Sequence, residues 1–364
     1  MTLPGIVFVL PAAGASGGAN SVVQESTGLA ELGVPVRIAV DEANHAPFVG
    51  NYPELEGSKL GVSRYGSEEA LAELLLTADI AVATTNESAF HVKGAVALLK
   101  AKRAHPIQVA YYVQDYEPLF YPPGTPAWNQ AHASYTAIKN SALFAKTEWL
   151  CNIVYENHGV RVTKVEPSID HRIFYPDLSR SSDRLTIAAM LRPKTPRRAP
   201  RRTLRIMQAL AARHGAELKL QVFGTDEADL KSAGIELPMQ VENLGRLRRH
   251  DVPELMRAAD LFLDLSDFQA FGRTGLEAMA CGGVPVLPIF GGPAEYAVHG
   301  RNAYLVDTRS DAAILQSVED FVHMTVGSRA AMRQSALETA SRYSIRQAAL
   351  SELRLFLSLV NSDV

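Results

Sequence analysis

From Arg192 to Arg202 the chain reads RPKTPRRAPRR. Arg192, Lys194, Arg197, Arg198, Arg201 and Arg202 fall within eleven residues, with no acid among them. Arginine forks match phosphate oxygens bidentately, so the run suits a diphosphate. A solvated basic loop is its plainer reading. A second stretch, SDFQAFGRTGLEAMACGGVPV from Ser266 to Val286, sets Gln269 eight residues before Glu277. Gly272 and Gly275 permit a sharp turn, and Thr274 is placed to cap the helix that follows. That helix start offers free N–H groups and a positive dipole end to an anion. Glu277 is expected in the first helical turn. There it either complements the dipole or grips a vicinal diol with its two oxygens, such as a ribose presents beside a diphosphate.

Two further stretches carry chemistry. In YYVQDYEPLFYPPG, the residues Gln114, Asp115 and Glu117 are interleaved with Tyr116, Phe120 and Tyr121. Rings beside amide and carboxylate groups suit carbohydrate, whose C–H faces pack on aromatics while its hydroxyls hydrogen-bond. A loop packed on a partner domain would read the same way. In PAAGASGGAN, the glycines 14, 17 and 18 would let the backbone approach a ligand. Their spacing does not fit G-x-G-x-x-G, which weakens a dinucleotide reading and leaves a plain tight turn as the alternative.

These stretches need elements to hold them. Short apolar runs (IVFVL, PVRIAV, DIAVATT, QVAYYVQD) alternate with helical patterns such as NSVVQESTGLAELG and SEEALAELLLTA, the latter capped by Ser67. A second series follows: LTIAAML, LKLQVFG, MQVENLG, LFLDLS, VPVLPI and AYLVD. Strand–helix alternation predicts parallel βαβ units. At 364 residues the chain suits two domains. We expect doubly wound α/β domains at 1–170 and 171–342, hinged near 166–184, followed by an amphipathic helix at 343–364. Two such domains imply a cleft, with ligands beyond the carboxyl ends of the strands. QVAYYVQD is read as the fourth strand.

Composition narrows the classes. Hydrophobic residues are 47% and charged residues 21%, a soluble globular balance. The net charge of -3 gives no global case for nucleic acid, although the arginine-rich run keeps that alternative open locally. Cys151 and Cys281 lack metal-ligand spacing and suit buried thiols in a reducing compartment. No His/Asp/Glu cluster has metal spacing, so no metal and no cofactor is expected. The N-terminal run reads as a first strand rather than a signal peptide, and no stretch is long enough to cross a bilayer. A cytoplasmic location is therefore expected. HVKGAVALLKAKRAHP offers Lys93, Lys100, Lys102 and Arg103 as a basic helical face for peripheral contact with the inner face of the cell membrane, or as a solvated face.

The pattern F-G-x-T-x-L-E-A-M-A-C-G-x-P-V, followed by GGPAEY and HGRNAYLVD, resembles the retaining glycosyltransferases of family GT4. NLGRL, AADLFLDLS and PSIDHRIFYP fit as well, and the resemblance covers nearly the whole chain. It implies the GT-B fold: two Rossmann-like domains facing a cleft, with the C-terminal helix crossing back to the first. It implies catalytic roles for Arg192 and Arg197 on the diphosphate, for Glu277 on the ribose, and for Gln269 beside the donor sugar, where the family has glutamate. Donor contacts are implied for Phe271, Gly272, Arg273, Thr274, Gly275, Leu276, Gln114 and Asp115. Gly17, Gly18 and Glu117 fall on the acceptor side. Gln114 stands where the family has histidine, which fits a 6-deoxy sugar. VQDYEPLFYPPG and RPKTPRR resemble bacterial cell-surface polysaccharide rhamnosyltransferases. The implied activity is metal-independent transfer with retention, rhamnose from dTDP-rhamnose to a saccharide or glycolipid acceptor. A non-catalytic sugar-nucleotide binder and a GT-B sugar-nucleotide epimerase are the alternatives.

Overall fold

The computed structural model describes residues 3–14, 16–177, 179 and 184–361. It divides into two compact units, one of residues 1–168 with 343–364, the other of residues 169–342. The expected linker at 166–184 falls partly outside the described residues, as do the last three residues of the C-terminal segment.

The first unit runs β1 (Ile6–Val9), α1 (Gly17–Glu31), β2 (Val36–Asp41), α2 (Glu42–Asn51), β3 (Gly61–Tyr65), α3 (Glu68–Leu75) and β4 (Ile80–Ala83). It continues through α4 (Asn86–Leu99), β5 (Gln108–Tyr112), α5 (Pro126–Ser134), β6 (Ala142–Ala145), α6 (Glu148–His158) and β7 (Val162–Lys164). The strands form one parallel sheet in the order β3-β2-β1-β4-β5-β6-β7. QVAYYVQD is thus the fifth strand. β3, GVSRY, is missed by pattern reading because it lies at the sheet edge with only Tyr65 buried. β6 and β7 have four and three residues, too few to show a period.

The second unit contains β8 (Leu185–Met190), α7 (Pro200–His214), β9 (Leu218–Phe223), α8 (Glu227–Ser232), β10 (Val241–Asn243), α9 (Val252–Ala258) and β11 (Leu261–Leu263). α10 (Arg273–Ala280), β12 (Val284–Pro288), β13 (Tyr304–Val306), α11 (Asp311–Val322) and α12 (Val326–Ala340) complete it. Its parallel sheet has the order β10-β9-β8-β11-β12-β13. All six apolar runs predicted there are strands. Both sheets are buried on two faces, which is why their strands read as continuous Val/Ile/Leu/Phe runs rather than as alternations.

The last helix, α13 (Ile345–Asn361), belongs to the first unit. It packs on α1 where Gly28 leaves room: a Cβ there would lie 2.7 Å from Ile345 Cγ2 and 3.0 Å from Ala349 Cβ. Phe356 meets Phe8 and Phe144 edge-on at 6.2 and 5.7 Å. Glu352 on this helix is fully buried near Glu25 of α1 and Lys146, which pair with each other as ions.

Each sheet has a switch point, where neighbouring strands send their connections in opposite directions. It falls between β1 and β4 in the first unit and between β8 and β11 in the second. Ligands in open α/β sheets bind at this place.

Candidate functional site

In the second unit the switch point brings the two chemistry-bearing stretches together. β8 pairs with β11, with Ala189 opposite Leu263. The basic run leaves β8 and turns through a short 3-10 segment, Pro196–Arg198, before α7. The Ser266–Gly272 loop leaves β11 and ends at α10. The two loops are joined directly. Asp267 N–H donates to the Arg197 carbonyl at 2.9 Å, and Arg202 Nη1 donates to Leu265 O at 2.8 Å and Asp267 Oδ1 at 2.9 Å.

Not all six cations are available to a ligand. Arg202 holds the loops together, and Lys194 pairs with Asp229 at 2.8 Å. Arg198 approaches the buried carboxylate of Asp264, Nη1 to Oδ2 3.6 Å. Acids supplied by distant elements thus offset a run that contains none of its own, which argues against an open nucleic-acid face. Arg197 lies over the Phe268 ring at 5.7 Å. Arg192 is held below its usual pKa range, first by desolvation and then by the charges of Arg198 and Arg197. Like charges so gathered favour an incoming anion.

The helix start differs from expectation in two ways. Gly272, at φ 81°, is the N-cap of α10, and no side chain caps it. Thr274 is therefore inside the helix, with its Oγ1 3.5 Å from Asp264 Oδ2. Glu277 is the fifth residue of α10, in its second turn, so the helix-dipole reading loses its basis. Its carboxyl group is buried, and desolvation pushes its pKa up to about 7 against the lowering effect of Arg273 and Arg249. Arg273 Nη1 stands 3.9 Å away. A buried carboxylate with so little compensation is suited to a ligand that brings hydrogen-bond donors.

Several expected donor residues serve packing. Phe271 meets Tyr296 edge-on at 5.3 Å, and the Tyr296 hydroxyl donates to Gly272 O at 2.6 Å. Leu276 lies in the interior. A Cβ on Gly275 would sit 2.7 Å from both Leu287 Cδ2 and Tyr296 Oη. Gln269 is buried and hydrogen-bonded to Asp264 and Ser266. Asp264 was not singled out by sequence reasoning. The signal was an acid at the end of a buried strand, LFLD.

The remaining candidates lie in the first unit. Gly17 and Gly18 are the first residues of α1 rather than a loop, because Ser16 caps the helix by accepting from Ala19 N–H at 3.1 Å. A Cβ on Gly18 would lie 2.8 Å from Gln114 Oε1, and Gln114 Nε2 donates to Thr84 O at 2.9 Å. Asp115 Oδ1 accepts from Tyr116 N–H at 2.9 Å. Tyr116 is not a sugar platform. It is buried, stacked on Tyr135 at 5.5 Å and hydrogen-bonded to His158 at 3.1 Å.

Glu117 lines a hollow of about 280 Å³ with Pro11, Thr85, Asn86, Tyr121 and Gln130. The N-terminus of α4 holds it: Asn86 N–H donates at 2.8 Å, and the Asn86 side chain donates closely to the other oxygen. Burial pushes its pKa up to about 7, against the lowering effect of the Asn86 bonds. Asn86 has no signal of its own in the sequence.

The expected basic face forms only in part: Lys93 lies on α4 and Lys100 is its C-cap, both exposed. α4 ends at Leu99, so Lys102 and Arg103 lie beyond it. Lys102 pairs with Glu73 at 2.7 Å, and Arg103 Nη1 donates to the carbonyls of Leu75, Leu76 and Ala78 at 2.7–2.9 Å, closing the end of α3. Among the described residues no helix is long and apolar enough to cross a membrane, and no three His, Cys, Asp or Glu side chains gather as for a metal.

Residues 183–339 match the family described as Glycosyl transferases group 1. The O-antigen biosynthesis protein RfbC of Myxococcus xanthus is 28% identical over 271 residues, 74% of this chain and 20% of its own length. The mannosylfructose-phosphate synthase of Agrobacterium fabrum is 33% identical over 103 residues, 28% of this chain and 22% of its own length. The matched part of this chain thus spans about a fifth of the length of these curated relatives. The structure of HepE from Anabaena in complex with UDP and glucose superposes with a TM-score of 0.77 at 16% identity, covering 98% of this chain and 100% of that one. That likeness is one of fold, and the fold is GT-B.

Proposed function

We propose that this chain, with its group 1 glycosyltransferase domain at residues 183–339, transfers a sugar from a nucleoside diphosphate donor to a saccharide or glycolipid acceptor in cell-surface polysaccharide synthesis. The observation that carries the reading is the switch point of the second unit. One side supplies Arg192 and Arg197, and the other supplies Gln269 and the buried Glu277. The guanidinium groups would hold the diphosphate, Glu277 the ribose diol and Gln269 the donor sugar. The relative named for O-antigen biosynthesis and the fold neighbour solved with UDP and glucose support this reading.

The reaction is read as metal-independent and retaining. Cationic side chains would stabilise charge on the leaving diphosphate, the largest expected catalytic contribution. In this reading the leaving phosphate would take the acceptor proton on the same face, with no covalent intermediate on the chain. The acceptor is assigned to the hollow of the first unit, where Glu117 would accept from its hydroxyl groups. L-rhamnose from dTDP-rhamnose is the preferred donor, on the likeness of VQDYEPLFYPPG and RPKTPRR to rhamnosyltransferases.

Calorimetric titration of dTDP, UDP and GDP into wild type and Glu277→Ala tests the reading. One nucleotide should bind, and the variant should lose most of that binding. Equal binding by the variant would reduce Glu277 to a packing residue. Transfer assays with EDTA, and product anomers read by NMR, test the metal and stereochemical parts.

A further inference from the structure

Gln269 stands where a carboxylate is expected, and the structure gives this a reason. Asp264 directly follows β11, and its carboxylate is buried. Among the described residues, the polar groups that face its two carboxylate oxygens are donors. Its Oδ1 accepts from Ser266 N–H at 3.2 Å and from Ser266 Oγ at 2.5 Å. Its Oδ2 accepts from Gln269 Nε2 at 2.5 Å, faces Thr274 Oγ1 at 3.5 Å and lies 3.6 Å from Arg198 Nη1.

The Gln269 amide nitrogen has two hydrogens, and both are committed: one to Asp264, the other to Ser266 Oγ at 3.2 Å. Its Oε1 accepts from none of the described residues. The opposite amide orientation would set Oε1 against a carboxylate oxygen at 2.5 Å with no proton between them. The Asp264 carboxylate therefore dictates which end of the amide points inward.

We propose that Asp264 is a positioning residue, which locks the Gln269 carboxamide with its carbonyl oxygen presented to the donor sugar as a fixed hydrogen-bond acceptor. The same carboxylate tethers Arg198 of the basic turn, so one buried group sets both the sugar side and the phosphate side. This rests on the glycosyltransferase reading above. Together Asp264 and Gln269 carry one negative charge, as a single glutamate would, but the charge sits one side chain deeper. Glutamine here is half of an exchanged pair, and a glutamate in its place would force two carboxylates together. The site would recognise a sugar hydroxyl that donates, and would reject a deoxy or fluoro replacement at that carbon.

The test is a double-mutant cycle on the full chain: Asp264→Asn, Gln269→Glu and both together. In the double variant the amide introduced by Asp264→Asn can keep Ser266 on its oxygen. Its nitrogen can donate to the carboxylate introduced by Gln269→Glu, which restores one amide and one carboxylate. Urea denaturation is measured at pH 8, with consumption of dTDP-rhamnose and UDP-glucose. Gln269→Glu alone should lower the denaturation midpoint and cut kcat at least tenfold, with nucleoside diphosphate affinity changed less than threefold. The double variant should regain most of the lost denaturation midpoint, with turnover regained only in part because Arg198 then faces an amide nitrogen in place of the carboxylate oxygen. A Gln269→Glu protein as stable and active as wild type would overturn the proposal, as would a double variant no better than the worse single one. If wild type consumes neither donor, the functional reading fails and the sugar-facing role falls with it. The denaturation cycle still reads the lock itself.

Discussion

The backbone of Gly291 passes Gln269 so closely that a Cβ on it would lie 1.9 Å from the Gln269 carbonyl oxygen. The two residues form an isolated parallel bridge, and Gly292 N–H donates to the same oxygen at 2.8 Å. Gly291 also sits at φ 104°, which L side chains avoid. Gly291→Ala should cost about 2–4 kcal/mol in urea denaturation from overpacking and backbone strain. Donor binding should fall with it, since the Gln269 backbone must move.

Glu277 should make nucleotide binding depend on pH. Free, its pKa is about 7. Two ribose hydroxyls donating to it would favour the ionised form and release a proton on binding. Affinity should therefore rise up to about pH 7 and then level off. Calorimetry in two buffers of different ionisation enthalpy reads the proton directly. Glu277→Ala should weaken binding by about 1.5–3 kcal/mol, the worth of hydrogen bonds to a charged group.

The same carboxyl group acts on folding with the opposite slope. A pKa raised above 4.5 means that the native state keeps a proton the unfolded chain releases. Its contribution to stability is fully present below the ordinary carboxylate range and is lost as pH rises towards about 7. Glu277→Gln should flatten that part of the curve without lowering stability at pH 8.

Arg197→Ala should cut kcat by about 10²–10³ if the residue stabilises the leaving diphosphate. Binding of the nucleoside diphosphate should weaken less than turnover. Equal losses in both would make Arg197 a binding group only.

Glu352 and Glu25 should separate in a stability assay. Burial and the nearby Glu25 charge hold Glu352 well above the carboxylate range, with Lys146 opposing. Its proton also favours folding at low pH and is lost to the solvent on unfolding as pH rises. Glu352→Gln should hold or raise the urea midpoint at pH 8. Glu25→Gln removes the carboxylate that pairs with the buried Lys146 and should lower the urea midpoint, the opposite of Glu352→Gln.

Much of this protein is determined locally. The six apolar runs between Leu185 and Asp307 are strands because buried parallel strands must be apolar on both faces, and that leaves a mark on each short window. The same is true of Ser67 as a cap, and of the spacing that sets Gln269 and Glu277 one loop and one helix turn apart. Pairing across distance leaves no such mark. Gly272 and not Thr274 is the N-cap, its carbonyl accepting the first helical N–H groups and also the hydroxyl of Tyr296, 24 residues on. Arg103 left its expected helical face for three carbonyls at the end of α3. Glu117 became a buried group because α4 begins 31 residues before it in the chain and beside it in space. Above all, Gln269 read alone is a missing carboxylate. Only the sheet end, which puts Asp264 against its amide, decides that the charge is present one side chain away.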